Sequence, residues 1–573
     1  MRRFTLFSPV LLILVTFLLV YTRFVGIDWG LPFPMHPDER NMVSAILQLR
    51  CTSGIWTECL NPHFFAYGQF PLYLAAFMSH ALSPLFGSTD FLRHDVVTLS
   101  LRAISALASI VMVGFLYLSV KRFHPHLTTI QKISTLLLLT YIPAFIQFAH
   151  FGTTESLLMM FVCALTYFGV KVIDKDMSLA SYVRTSGILL GLAVGTKVSG
   201  AVFAIIPFSV MIIFMFYKKS WKSVANGWFA LAKVAAIAVV FFIIASPYNM
   251  IDWDGFIHSM NYESSVGLGT YKAFYTRSFE FTVPIRFQAL SVFPYALGWP
   301  VYIVSLLGMI FLPWNRKYLV LRVSAIVLFV PTAFMYAKWT RFIAPVFPIL
   351  VLFAVLTILS VTKRLPLFII HHLFIILFAL IMIIPGVAYL AIYQNPDVRF
   401  VASQWMNEHI EAGAQILSET ANVVDVPIES PLHPISFDFY EVDQNPILQS
   451  DLEGYTSTAE YIFVPSRRVF WNHTCVKPNN TIHDTYLPAG TARYTSGRCE
   501  QLKEEYPVLD TYYNDLFDGS LGFEKVAEFT SFPRICVLRD TCFVLHDESA
   551  EETWTVFDHP VVRVYKRRGG RAN

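Results

Sequence analysis

Residues 5–24 read TLFSPVLLILVTFLLVYTRF, and eleven residues further on comes His36-Pro37-Asp38-Glu39-Arg40. The first stretch has the length of about 20 residues that a helix needs to cross a hydrocarbon layer of about 30 Å. It follows Met1-Arg2-Arg3, as a signal sequence would. It is long for one and lacks a small-residue cleavage site, so it reads as a retained anchor. If it spans the bilayer, Asp38 and Glu39 stand at the far interface, where a carboxylate stays ionised and still reaches a lipid headgroup. Charge is scarce in the chain as a whole: 14% of 573 residues are charged and 55% are hydrophobic. A soluble protein has roughly 25% charged residues, so the composition is that of an integral membrane protein. A formal net charge of +3 is too small to point to nucleic acid as a partner.

Working outward, apolar runs at 5–24, 98–120, 128–148, 154–172, 183–197, 199–217, 226–247, 287–311, 318–337, 342–361 and 366–392 predict a polytopic α-helical protein of about 11 transmembrane helices. Gly187, Gly191, Gly195 and Gly200 punctuate the fifth and sixth. With the N-terminus in the cytosol, every cytosolic segment is basic: Arg2 and Arg3, Lys121 and Arg122, Lys171 and Lys175, Lys218 and Lys219, Arg316 and Lys317, Lys363 and Arg364. The other loops mix signs. Eleven spans then put the C-terminus on the extracytoplasmic side, in a plasma membrane or a membrane of the endoplasmic-reticulum type. Two glycosylation-type sequons, at Asn472 and Asn479, fall on that side.

Two units follow from this pattern: residues 1–392 in the membrane, and residues 393–573, of ordinary composition, as an extracytoplasmic α/β domain. The tail opens with an amphipathic helix at 398–409 and continues with β-rich runs at 415–417, 461–464 and 561–565. The first outer loop, 25–97, predicts short interfacial helices at 38–50 and 71–82. Of seven cysteines, Cys163 sits in an apolar run. The other six fall near one another as Cys51/Cys59, Cys475/Cys499 and Cys536/Cys542, an even number in an oxidising compartment; six cysteines allow 15 pairings.

Four groups of residues could carry chemistry. Asp38 and Glu39 suit a general base, alone or with a divalent ion such as Mg or Mn, and equally suit the cap and first turn of a helix. Glu155, in His150-Phe151-Gly152-Thr153-Thr154-Glu155, lies at a span boundary, either in solvent or in a polar pocket. Lys197, between apolar runs, could snorkel or bind an anionic headgroup. Lys338 and Arg341, three apart on one helical face, stand against the positive-inside trend, as phosphate ligands or as belt anchors with Trp339. His36 and His150 are further pocket candidates. All of these map to one side of the membrane.

The segments HPDER, HFGTTES, GLAVGTKVSG and KWTRFIAPVFP, in that order, resemble the GT-C glycosyltransferases, nearest to the protein O-mannosyltransferases and the lipid A aminoarabinose transferases. VRFVASQW at 398–405 and TWTVFDHPVVRVY at 553–565 resemble bacterial and archaeal members of that group. The resemblance implies the GT-C fold, a polyprenyl-phosphate-linked sugar donor, inversion at the anomeric carbon, and a lipid, glycan or protein acceptor. It implies Asp38 as base, Glu39 as supporting acid or metal ligand, and Lys197, Lys338 and Arg341 near the donor phosphate. Family members often have Asp where this chain has Glu155, one methylene longer. The competing reading is a transporter or flippase for an anionic lipid or saccharide. That reading expects charge near the midplane and paired repeats, and the sequence has neither.

Overall fold

The apolar runs become helices because a backbone in lipid must satisfy its own hydrogen bonds. The computed structural model describes residues 4–50, 56–86, 92–218, 221–363, 368–419, 426–428, 432–478, 492–538 and 541–569. Among these, seven helices are long and apolar enough to cross a membrane: His94–Phe123, Glu155–Ile173, Leu179–Thr196, Val198–Phe216, Val224–Ala245, Thr340–Thr362 and His372–Gln394. The protein is integral to the membrane. The expected spans at 5–24 and 318–337 are helical too, as Phe4–Phe24 and Arg316–Ala333.

Two expected spans are not single rods. Thr129–Thr140 and Pro143–His150 meet at 52°, and Gln288–Ala296 and Trp299–Phe311 meet at 113°. Proline explains the first break: Pro143 opens the second helix, where its missing N–H costs nothing, but it could not continue the first. At the second break Gly298 takes φ +79°, a left-handed conformation open to glycine, and Pro300 follows in the new first turn.

The glycine punctuation is a packing device. A Cβ on Gly187 would meet Ile237 at 2.6 Å, and one on Gly191 would meet the Ala238 carbonyl at 2.5 Å. The stripe lets Leu179–Thr196 lie tightly on Trp221–Ala245, the small-residue solution for helices in lipid. At the far end of the bundle, Lys317 Nζ lies 2.8 Å from Asp174 and donates to the Arg122 carbonyl, while Arg122 pairs with Asp176.

The first loop supplies Pro37–Leu47 and Gln69–Leu82, close to the helices expected there. Both pack against His94–Phe123 and bury Met42, Val43 and Ile46 from the first, Leu72 and Ala75 from the second. They are part of the bundle rather than ribbons lying on a surface.

After helix Val398–His409, seven strands follow in the C-terminal region: β1 (Ile416–Glu419), β2 (Pro434–Phe437), β3 (Tyr461–Val464), β4 (Phe523–Phe529), β5 (Arg534–Leu538), β6 (Thr541–Val544) and β7 (Val562–Arg567). Five form a mixed sheet in the order β2-β1-β3-β7-β4, with β1 parallel to β2 and β3, and β7 antiparallel to β3 and β4. β5 and β6 form a separate hairpin closed by Cys536–Cys542; Cys475 pairs with Cys499. Cys163 is a buried thiol. The expected partner of Cys59, Cys51, lies outside the described residues.

Asn472, in the first sequon, has no free side chain. Its side chain is fully buried, accepts from the Ser278 N–H at 2.9 Å and donates to the Arg468 carbonyl at 2.9 Å. It ties the 248–286 loop to the C-terminal domain and offers no acceptor surface. Asn479 lies outside the described residues.

Candidate active site

His36, not Asp38, caps the helix Pro37–Leu47. Its backbone is extended (φ −112°, ψ 118°) and its Nδ1 accepts from the Glu39 N–H at 3.4 Å. Nδ1 is therefore the unprotonated nitrogen of a neutral imidazole. Burial holds the His36 pKa below its ordinary value despite the carboxylates of Asp38 and Glu39 nearby. The ring is held between Phe151 and Phe557, with centroids 4.6 and 4.4 Å away.

A helix turns by about 100° per residue, so neighbouring side chains in its first turn point in different directions. Glu39 turns into the bundle, where it is 2% exposed. Arg102 Nε and Nη2 donate to its two oxygens at 2.9 and 2.7 Å, and the Gly152 N–H donates at 2.7 Å. Arg102 Nη1 also donates to the Ile27 and Trp29 carbonyls. Both Glu39 oxygens are thereby engaged in joining the first loop, the second membrane helix and the 150–154 turn. Asp38 turns the other way and pairs with Arg341. Burial alone would raise the Asp38 pKa. The Arg341 guanidinium, then His36, Lys197 and a hydrogen bond from Tyr67, hold it below the usual carboxylate range.

The cleft around Asp38 takes in about 310 Å³, counted together with the solvent at its mouth. Its lining carries charge: Asp38, Arg341 and Glu155. The Glu155 carboxylate lies 3.8 Å from Lys197 Nζ and is 2% exposed. Lys197 reaches it because the helix Leu179–Thr196 stops at this residue, whose backbone is extended (φ −160°) before a 3-10 turn resumes. Its ammonium also stands 4.9 Å from the Tyr67 ring and 5.5 Å from the Phe342 ring. Phe148, Phe151, Trp554 and Phe557 add aromatic rings to the lining, and Gln147, Thr153, Thr340 and Thr553 add polar side chains. Arg341 Nε has no hydrogen-bond partner among the described residues, so its planar fork keeps a donor in reserve.

Residues 76–248 match the family model described as dolichyl-phosphate-mannose-protein mannosyltransferase. The matched stretch holds Arg102, Glu155 and Lys197; Asp38 and Arg341 flank it. A comparison with curated proteins finds no match. Among solved structures, the chain is similar to apo ArnT from Cupriavidus metallidurans, at 15% identity and a TM-score of 0.48 over 79% of this chain and 92% of that one. It is also similar to the Archaeoglobus fulgidus oligosaccharyltransferase solved with Zn and sulfate, at 12% identity and a TM-score of 0.45 over 81% of this chain and 69% of that one. The oligosaccharyltransferase AglB from Archaeoglobus fulgidus, solved with an inhibitory peptide and a dolichol-phosphate, gives 13% identity and a TM-score of 0.47 over 82% of this chain and 71% of that one.

The structure brings together Asp38, Glu155, Lys197, Arg341 and His36. It sets two other candidates apart. His150 is fully buried, with Nδ1 and Nε2 each 2.8 Å from a backbone carbonyl, of Ile146 and Val25, and its ring stacked 3.7 Å from that of Tyr393. Lys338 donates to the Tyr336 carbonyl at 3.0 Å and does not line the cleft; burial pushes its pKa down to about 8. The two cations spaced three apart part company because residues 335–339 are irregular and the short helix Thr340–Ile343 begins only after Trp339. Arg341, which lines the cleft, faces Asp38, and Lys197 stands behind the lining against Glu155.

Sequence reasoning missed several participants. Tyr67 comes from an irregular loop and carries no signal. Glu263, exposed on helix Trp253–Leu268, lies within electrostatic reach of Arg341, Lys197 and Asp38. Arg102 had a signal: it is the one arginine inside the apolar run 98–120, where a charge needs a partner. Thr553, Trp554 and Phe557 fall in the tail segment singled out by resemblance alone.

Proposed function

We propose that the protein is an inverting glycosyltransferase that moves a sugar from a polyprenyl-phosphate donor to an acceptor hydroxyl on the extracytoplasmic side of the membrane. The observation that carries this reading is the charge gathered at the cleft, Asp38 paired with Arg341 and Glu155 paired with Lys197, in a cleft also lined by aromatic rings. The N-terminus is then cytosolic, residues 1–392 are the membrane unit and 393–573 the extracytoplasmic one.

The chemistry follows from the pairs. The acceptor oxygen attacks the anomeric carbon, the carbon–oxygen bond to the phosphate breaks, and the phosphate leaves with the electron pair. Arg341, with its spare Nε, and Lys197 stabilise that developing charge, an interaction that strengthens toward the transition state. The acceptor proton passes to Asp38. In the free protein Arg341 keeps Asp38 a weak base. A donor phosphate that draws Arg341 to itself relaxes that hold, so Asp38 becomes more basic as the donor seats. Glu155 keeps Lys197 in place. Glu39 supports the base by fixing the backbone that carries it.

The donor set does not favour a divalent ion. Among the described residues no three His, Cys, Asp or Glu side chains converge on one point, and Glu39 and Asp38 are each taken by an arginine.

The test uses detergent-purified protein, dolichyl-phosphate-mannose labelled in the sugar, and a membrane extract from cells lacking the gene as the source of acceptors. Label should move to an acceptor without any sealed compartment. Label that stays on the donor with the wild-type protein would overturn the reading for this donor class, and substrate movement only across sealed vesicles would replace it with transport.

A further inference from the structure

The C-terminal segment 547–559 enters the membrane unit and forms part of the cleft. It is held at several points. The Glu551 N–H donates to the Ser291 carbonyl at 2.8 Å, Gln147 Nε2 donates to the Trp554 carbonyl at 2.8 Å, and the Tyr389 and Tyr393 hydroxyls donate to Asp558 at 2.9 and 2.7 Å. Arg467 binds the Ala550 and Glu551 carbonyls and the Thr555 hydroxyl.

Within this segment the Glu551 side chain is 2% exposed and makes an unusual set of contacts. Its Oε2 accepts from the Thr340 N–H at 3.0 Å, the Thr340 hydroxyl at 2.9 Å and the Thr553 hydroxyl at 2.7 Å; its Oε1 accepts from the Thr553 N–H at 2.9 Å. Thr340 is the residue before Arg341. Pinning both its N–H and its hydroxyl fixes the start of the Thr340–Ile343 turn, and so the direction in which the guanidinium leaves it.

We propose that Glu551 is a positioning residue: from the C-terminal domain it sets the Arg341 turn so that the guanidinium faces the cleft and can take a lipid-linked phosphate. The proposal rests on the glycosyltransferase reading for the identity of that anion. The membrane unit alone then holds the charged residues but not their alignment, and the C-terminal domain completes the phosphate site without touching the phosphate.

The experiment measures dolichyl phosphate binding in detergent and hydrogen exchange of the peptide 338–346 in ligand-free protein, for the wild type, Glu551→Ala, Thr340→Val, the double variant and Arg341→Ala. A lost hydrogen bond to a charged group weakens binding by about tenfold. Glu551→Ala should show that loss together with faster exchange in 338–346 and unchanged exchange in β3 and β7. Thr340→Val, which removes the hydroxyl bond and keeps the N–H one, should show a smaller loss in the same direction, and the double variant no more than Glu551→Ala alone, since the hydroxyl bond is one half of the same link. Additive losses, wild-type binding in Glu551→Ala, or unchanged exchange in 338–346 would each overturn the proposal. If Glu551→Ala also exposes β3 and β7, Thr340→Val decides alone, because it leaves the segment 547–559 intact. Wild-type binding in Arg341→Ala sinks the phosphate reading instead, and the exchange data still judge the positioning.

Discussion

Asp38 and Glu39 are adjacent carboxylates with unrelated tasks, and two substitutions separate them. Asp38 is partly open to the cleft, at 18% side-chain exposure, whereas the Glu39 side chain is 3% exposed against an Arg102 that is 0% exposed. Asp38→Asn keeps the shape and removes the proton acceptor. Transfer from a labelled polyprenyl-phosphate sugar should fall by roughly 10²- to 10⁴-fold, the usual contribution of a general base, with the thermal unfolding midpoint in detergent lowered less than in Glu39→Gln, because the Asp38–Arg341 pair is partly open to solvent; a turnover within a few-fold of wild type would remove Asp38 from the base's role. Glu39→Gln should do the reverse of a clean active-site change. It leaves Arg102 buried without its counter-charge, a loss of about 3–5 kcal/mol for a broken buried pair. The unfolding midpoint should drop by several degrees, and the activity lost should track the fraction unfolded. The sequence puts both residues at the start of a short helix, as the structure has them; what it could not supply was the partner that claims each, since Arg102 and Arg341 lie 63 and 303 positions away in the chain.

At the scale of elements, the segment 547–559 has its own electrostatic lock. His559 is fully buried between Asp558, 2.6 Å from Nδ1, and Asp547, 2.9 Å from Nε2. Burial disfavours its charged form, but the two carboxylates prevail and raise its pKa from 6.5 to about 10. A raised folded-state value means the protonated form is favoured by folding. That stabilisation is fully present below pH 6.5 and is lost as the pH rises through about 10. Hydrogen exchange of peptides spanning 547–559, after correction for the intrinsic rate, should therefore hold steady below pH 6.5 and rise progressively from there to about pH 10, while β3 stays protected. In His559→Gln the pH dependence should vanish; its persistence there would mean another group titrates. This element also marks the limit of what the sequence could tell. Membrane helices are legible because each apolar run carries its own signal, and the breaks at Pro143 and at Gly298-Trp299-Pro300 are visible as residues that stop helices. Strands β1, β3 and β7 fall within a residue or two of the β-rich runs. That residues 551–557 return to sit beside residue 38 has no local signal, because it depends on contacts that exist only after both units have formed.

The whole molecule has two distinguishable ends, and their chemistry bears on how it sits in the membrane. Helix His94–Phe123 carries Arg102 at the level of the cleft and Arg122 twenty residues later, about 30 Å along the axis at 1.5 Å per residue, which is the thickness of the hydrocarbon layer. Arg122, Asp174, Asp176 and Lys317 gather at that second end through ion pairs, so three loops that the sequence assigned to the cytosol on the strength of their lysines and arginines meet on one face. The cleft and the C-terminal sheet domain gather at the other. Loop charge that sorts this way is what the positive-inside bias produces when a bundle is threaded in one orientation. Two exposed positions report on it: His126, on the short connection at the basic end, and Ser457, on the helix Pro446–Thr458 of the C-terminal domain. In sealed membranes of known sidedness, a cysteine at His126→Cys should react with a membrane-impermeant maleimide only from the cytosolic face, and one at Ser457→Cys only from the opposite face, each judged against the parent chain, whose Cys163 is buried. Labelling of both from one face would contradict the separation of the two ends. Labelling from opposite faces but with the sides exchanged would keep the fold and place the cleft in the cytosol, where a transferase would draw its lipid-linked donor from the inner leaflet.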